Sequence, residues 1–104
     1  MSDFMTHTGN GASRTAHHSS TTRQALINRL KRIEGQIRGI TRMVEGDVYC
    51  DDVLNQIASV QAAMNGVQRQ LLEAHIRSCV VEQIQEGKVG VVDELMTTIA
   101  RVVS

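Results

Sequence analysis

The 104-residue sequence has no proline, no tryptophan, one phenylalanine (Phe4) and one tyrosine (Tyr49). Any core it forms is therefore aliphatic. A β-sandwich or barrel draws on aromatic and β-branched runs broken by turn residues at regular short spacing, and neither the aromatics nor the prolines are present. No stretch approaches the roughly 18 consecutive apolar residues of a membrane-spanning helix. The opening Met1-Ser2-Asp3-Phe4-Met5 lacks the charged and apolar regions of a signal peptide. With only two cysteines, Cys50 and Cys79, a disulfide framework is not expected, and a reduced, cytoplasmic setting is. No nucleophile–base–orienter triad and no glycine-rich phosphate loop is visible, so an enzyme with a small-molecule substrate is not expected either. The length allows one domain.

What is present is helical periodicity. Residues 1–20 are rich in Ser, Thr, Gly, Asn and His; they cannot bury enough surface to offset ordering entropy and read as a disordered tail. Ser19, Ser20, Thr21 and Thr22 offer N-caps for a helical domain over 21–104. Leu26, Leu30, Ile33, Ile37, Ile40 and Val44 then follow steps of 4, 3, 4, 3 and 4, the a/d pattern of a narrow coiled-coil-like seam. Gly35 and Gly39 each cost about 1 kcal/mol relative to Ala and lie on one face, where another helix could approach closely. Glu45-Gly46-Asp47 supplies a stop. A second run begins near Asp51-Asp52 and keeps the alternation through Ile57, Val60, Met64, Val67, Leu71 and Ala74 to about Gln85, with Gly87 as C-cap. Val92, Leu95, Met96, Ile99, Val102 and Val103 mark a short third helix. The expected fold is all-α: two long helices in an antiparallel hairpin that dimerises into a four-helix bundle, since one hairpin has too little partner surface to cover its own seam.

A formal net charge of zero conceals a segregation. Residues 21–42 hold Arg23, Arg29, Lys31, Arg32, Arg38 and Arg42 against the single acid Glu34, a balance of +5; residues 43–104 hold four basic residues against nine acids, a balance of −5. A basic stripe on one helix is an electrostatic footprint for a polyanion, although long helices also carry solvated charge without any partner.

Cys50, His75 and Cys79 carry the chemistry. His75 and Cys79 are four apart, which places both on one helical face at a spacing that suits chelation. Singly, a cysteine is often a small buried hydrophobe and a histidine a satisfied core group. Cys50 precedes His75 by 25 residues, roughly 37 Å along a straight helix, so it cannot share a metal with His75 of its own chain. If two hairpins pack antiparallel, Cys50 of one copy approaches His75 and Cys79 of the other. Two thiolates and an imidazole make a soft, low-coordinate donor set of the kind that selects Cu(I).

Residues 28–50, NRLKRIEGQIRGITRMVEGDVYC, with Asp52-Val53-Leu54-Asn55-Gln56-Ile57 and Leu71-Leu72-Glu73-Ala74-His75-Ile76-Arg77-Ser78-Cys79, resemble the CsoR family of metal-sensing repressors; the resemblance covers residues 23–103. It implies an all-α protein, dimeric or tetrameric, that binds operator DNA without a helix-turn-helix. It further implies, from the copper-sensing branch, that Cys50, His75 and Cys79 are the ligands, that Tyr49 and Glu94 stand behind them, and that Cu(I) binding releases the DNA and derepresses copper export or buffering genes. Arg29 matches a DNA-contacting arginine of the family, with Lys31, Arg32, Arg38 and Arg42 extending the surface. Some relatives add a basic residue in the middle of the second helix; here that neighbourhood is Asn65-Gly66, with Arg69 a turn later.

The same resemblance separates neighbouring branches. Formaldehyde-sensing relatives have Pro after the initiator Met and lack the second Cys, whereas this sequence has Ser2 and Cys79. Persulfide-sensing relatives lack the His, and here His75 is present. Nickel- and cobalt-sensing relatives add a His ahead of the first helix. Folding the hairpin about residue 48 sets position 18 opposite 78, so His18 (or His17) could join His75 and Cys79, with Cys50 from the partner, in a four-ligand set acceptable to Ni(II). A reversible disulfide between Cys50 and Cys79, with His75 lowering a thiol pKa, is the other alternative and would make the protein a thiol redox or sulfur sensor.

Overall fold

In the computed structural model, which describes residues 15–103, Ser19 caps the first helix: its Oγ accepts from the Thr22 backbone N–H at 3.1 Å. Of the four hydroxyl residues available, it is Ser19 that satisfies one of the otherwise orphaned N–H groups of the first turn. Helix α1 runs Ser20–Glu45. It ends where Asp47 adopts φ 55°, a left-handed conformation that Asp tolerates better than most side chains, while Val48 N–H donates to the Met43 carbonyl at 3.0 Å. The expected stop at Glu45-Gly46-Asp47 is thus real, with Asp47 rather than Gly46 making the left-handed bend.

Helix α2 spans Cys50–Ala74, with Asp51 and Asp52 in its first turn. It continues without a break into a π-helical turn, His75–Val80, and then α3, Val81–Gln85, so a single rod extends over the expected length. The rod ends at Gly87, φ 83°, where Lys88 N–H reaches back to the Gln83 carbonyl at 2.9 Å. Helix α4, Val91–Val103, follows. No strand occurs among the described residues, and no helix among them is long and apolar enough to cross a membrane.

A turn over 46–49 reverses the chain, so α1 and the α2 rod pack antiparallel. Leu26, Ile33 and Val67 form the buried cluster, with Val60 and Ala63 packed against it. Only alternate members of the heptad seam face inward. Leu30, Ile37 and Val44, seven apart on α1, are exposed, as are Ile57, Met64 and Leu71, seven apart on α2. One hairpin therefore uses half of its apolar pattern. Gly35 and Gly39 are not approached by another helix of the same chain: a Cβ on Gly39 would meet nothing within 4 Å, and one on Gly35 only the Arg38 guanidinium at 3.6 Å.

The expected tail over 1–20 falls largely on residues 1–14, outside the described residues. Residues 15–19 are irregular chain laid beside the far end of the rod, where His17 meets Cys79 and Glu82.

Candidate metal centre and polyanion surface

Two of the three sequence-predicted ligands come together in one chain. His75 opens the π turn and Cys79 lies within it. The turn is closed by Val81 N–H donating to the Ile76 carbonyl, five residues back instead of four, and such local widening of a helix recurs at functional sites. Over this winding four residues complete slightly less than one turn, not slightly more, so His75 and Cys79 still share a side. Cys79 is buried at 7 % exposure and His75 is half-buried. The His17 backbone N–H points to Cys79 Sγ at 3.4 Å. The His17 ring, through Nδ1, sits 2.9 and 3.0 Å from the two carboxylate oxygens of Glu82. Beside them is a hollow of about 220 Å³ lined in part by Thr15, His17, Cys79, Glu82 and Lys88. His18 is half-buried, and its Nδ1 is buried with no hydrogen-bond partner among the described residues.

Cys50 is elsewhere. It is the first residue of α2 and is exposed, in a shallow hollow with Val44, Asp47, Val48, Val53 and Leu54. Tyr49 precedes it as N-cap, 71 % exposed and without a side-chain capping bond. Glu94 lies in the first turn of α4, and α4 packs against the π turn. Among the described residues no three His, Cys, Asp or Glu side chains converge closely enough to hold a metal ion. The candidate donors thus fall in two places, a thiol at the turn end of the hairpin and an imidazole and a thiol on one turn at the open end. Both thiols are free, and the soft donor chemistry fits a thiophilic metal once the two parts meet.

The basic residues of α1 are all exposed, but they do not form one surface. Arg29 and Arg32 line a hollow against α2 with Gln36 and Gly66. Lys31, Arg38 and Arg42 lie roughly 180–220° around the helix from Arg29, and Arg38 leans on Glu34 at 3.9 Å. A feature left open by the sequence is Arg69, which shares a second hollow with Arg29, Gly66, Gln70 and Glu73. The Arg29 guanidinium lies over Gly66, 3.6 Å from where a Cβ would stand, an ordinary contact distance. The hairpin register could have found this pair: folding about residue 48 sets Arg29 opposite position 67, two residues from Arg69. The same register sets position 17 opposite 79, so the approach of His17 to Cys79 follows from the hairpin, whereas its contact with Glu82 had no motif to signal it.

The family model described as a metal-sensitive transcriptional repressor matches residues 22–101. The chain belongs to the metal-sensitive transcriptional repressor family. Within this repressor family it is 55 % identical over 71 residues to the copper-sensing transcriptional repressor CsoR of Bacillus subtilis (strain 168), a match covering 68 % of this chain and 70 % of that protein. Its fold is similar to a crystal structure of the copper-sensing repressor CsoR with Cu(I) from Geobacillus thermodenitrificans NG80-2, with a TM-score of 0.80 and 41 % identity over 86 % of this chain and 95 % of that one. It is also similar, with a TM-score of 0.66 and 36 % identity, to the nickel-responsive transcriptional regulator InrS, covering 86 % and 97 % of the two chains. Membership of this repressor family implies DNA binding.

Proposed function

We propose that this repressor senses Cu(I) at a site shared between two copies of the chain, and that it acts in the cytoplasm by binding and release, not by catalysis. The observation that carries the reading is the separation of Cys50, the first residue of the rod, from His75 and Cys79 in the π turn near its other end. Two hairpins packed antiparallel through Leu30, Ile37, Val44, Ile57, Met64 and Leu71 form a four-helix bundle, and this bundle sets Cys50 of each copy against His75 and Cys79 of the other. A dimer, extending to a tetramer, is thereby both the folded unit and the sensing unit. Metal-free protein holds operator DNA through Arg29, Arg32 and Arg69, while Lys31, Arg38 and Arg42 form a separate basic face on the other side of α1. Cu(I) engages the two thiolates and the imidazole, while Tyr49 and Glu94 support the ligands from behind, and the DNA is released, derepressing copper export or buffering genes.

The test mixes Cys50→Ser subunits with Cys79→Ser subunits. A mixed dimer keeps one intact site and one doubly broken site, so it should bind one Cu(I) tightly where each parent binds none. Mixed dimers that form but bind no Cu(I) tightly would overturn the shared site.

A second reading is favoured by one feature, the unpartnered Nδ1 of half-buried His18 one residue from the His17–Cys79 contact. An added His18 would suit Ni(II) or Co(II), and the likeness to the nickel-responsive InrS supports it. Anaerobic titration with Cu(I) and with Ni(II), each followed by DNA binding, separates the two. Release by oxidant in the absence of either metal would instead select the thiol-sensor alternative through Cys50 and Cys79.

A further inference from the structure

His17 makes two contacts with the far end of the rod, and together they fix the segment 15–19 over Cys79. The first is made by the main chain: its N–H donates to Cys79 Sγ at 3.4 Å. The second is made by the ring, which meets the Glu82 carboxylate at 2.9 and 3.0 Å. Glu82 stands three residues after Cys79, on the same side of the rod. Two residues beyond His17, Ser19 caps α1. The stretch from His17 to Ser19 is therefore held at one end by the cap of α1 and at the other by the His17 ring on Glu82, with the His17 N–H on the thiol. Cys50 has no such cover: it is exposed, whereas Cys79 is buried.

We infer that His17 and Glu82 are positioning residues for Cys79: their pairing straps the segment 15–19 across the thiol, shielding it and presenting a main-chain N–H to its sulfur. For its meaning the inference rests on Cys79 being a ligand. The strap is held by a half-exposed imidazole–carboxylate contact, with side chains 54 % and 44 % exposed, so it opens easily, and a contact of this kind is strong enough to bias a segment but not to lock it. It also joins the sensing thiol to the start of the helix that carries Arg29 and Arg32 through three residues of chain. Rearrangement at Cys79 is thus felt directly at the N-terminus of α1.

The experiment uses full-length, reduced, metal-free protein without DNA and follows alkylation of each cysteine by N-ethylmaleimide, with peptide mass spectrometry to separate Cys50 from Cys79. His17→Ala and Glu82→Gln should each raise the Cys79 rate about threefold, the scale set by an exposed pair. His17→Glu, which sets two carboxylates together, should raise it further. The exchanged pair His17→Glu with Glu82→His should return the rate to that of the original protein, a rescue that general loosening of the bundle would not give. Helix content by circular dichroism accompanies each variant, and His17→Ala, a truncation at an exposed site ahead of α1, keeps the test available if a charge-reversed variant folds poorly. A Cys79 rate unchanged in His17→Ala and Glu82→Gln, or one that the exchanged pair fails to restore, would overturn the strap. Because neither metal nor DNA is present, failure here leaves the Cu(I) reading standing, and failure of the Cu(I) reading leaves this result intact.

Discussion

Arg29 and Arg38 are both exposed arginines of one helix, yet their surroundings give them different work. Arg29 lies over Gly66 in a hollow it shares with Arg69; Arg38 leans on Glu34 around the far side of α1. Removing one cationic partner of a DNA phosphate lowers the salt slope of log K by about 1. Arg29→Ala, Arg32→Ala and Arg69→Ala should each weaken DNA binding and flatten that slope by this amount. Arg77→Ala should do much less, because Arg77 is engaged with Glu73 at 3.3 Å and does not line the hollow. Binding isotherms at several salt concentrations check the ranking. The proposed ligands also differ among themselves. Cu(I) is satisfied by two thiolates, whereas an imidazole has a second nitrogen that can be held by a group behind it, here Glu94 or the Tyr49 hydroxyl. His75→Ala should keep much of the Cu(I) affinity and lose most of the copper-driven release from DNA, whose coupling is typically about 1–3 kcal/mol. Cys50→Ser should lose the affinity itself. Competition titrations against a Cu(I) chelator, run beside DNA release, distinguish the two.

At the scale of elements, the helices were legible in the sequence because a 3–4 alternation of aliphatics has one structural solution. Seam, stop and C-cap fall where Leu26 to Val44, Glu45-Gly46-Asp47 and Gly87 place them. The π turn was not legible. His75 and Cys79 are four apart, the spacing of an ordinary helical face, and nothing in that spacing marks the change from α to π winding at which Cys79 and Val80 are buried. The heptad pattern also could not say which of its halves a hairpin would cover, since Leu30 and Ile33 are equivalent in sequence and opposite in burial. Arg69 and the His17–Glu82 contact belong to no local motif, as each meets a residue on another element and only the hairpin register brings the two together. The glycines provide a stability test at this scale. Gly87→Val places a β-branched side chain at φ 83° and should cost about 1–2 kcal/mol. Gly39→Ala meets open space within the chain and should gain up to about 1 kcal/mol of helix propensity. Thermal midpoints measured at one protein concentration should move in opposite directions.

For the whole molecule, the uncovered half of the seam dominates. Ile37 is 50 % exposed and lies among Leu30, Val44, Ile57, Met64 and Leu71, all exposed. A carboxylate there would be desolvated on assembly with no partner, at a cost of several kcal/mol. Ile37→Glu should therefore run as a monomer by light scattering, show reduced helix content, and bind Cu(I) no better than a single-cysteine variant, although every ligand is intact. A dimer with normal Cu(I) affinity would remove the apolar stripes from the interface. Those stripes have a further consequence, in mass action. In the dimer proposed above, half of the core is buried against a second copy, so the folded fraction would rise with the protein's own abundance, and scarcity would lower occupancy of the operator and capacity for metal at the same moment. A cell holding few copies would lose repression and sensing in step. It would not keep a population of folded repressor that had lost its response to metal.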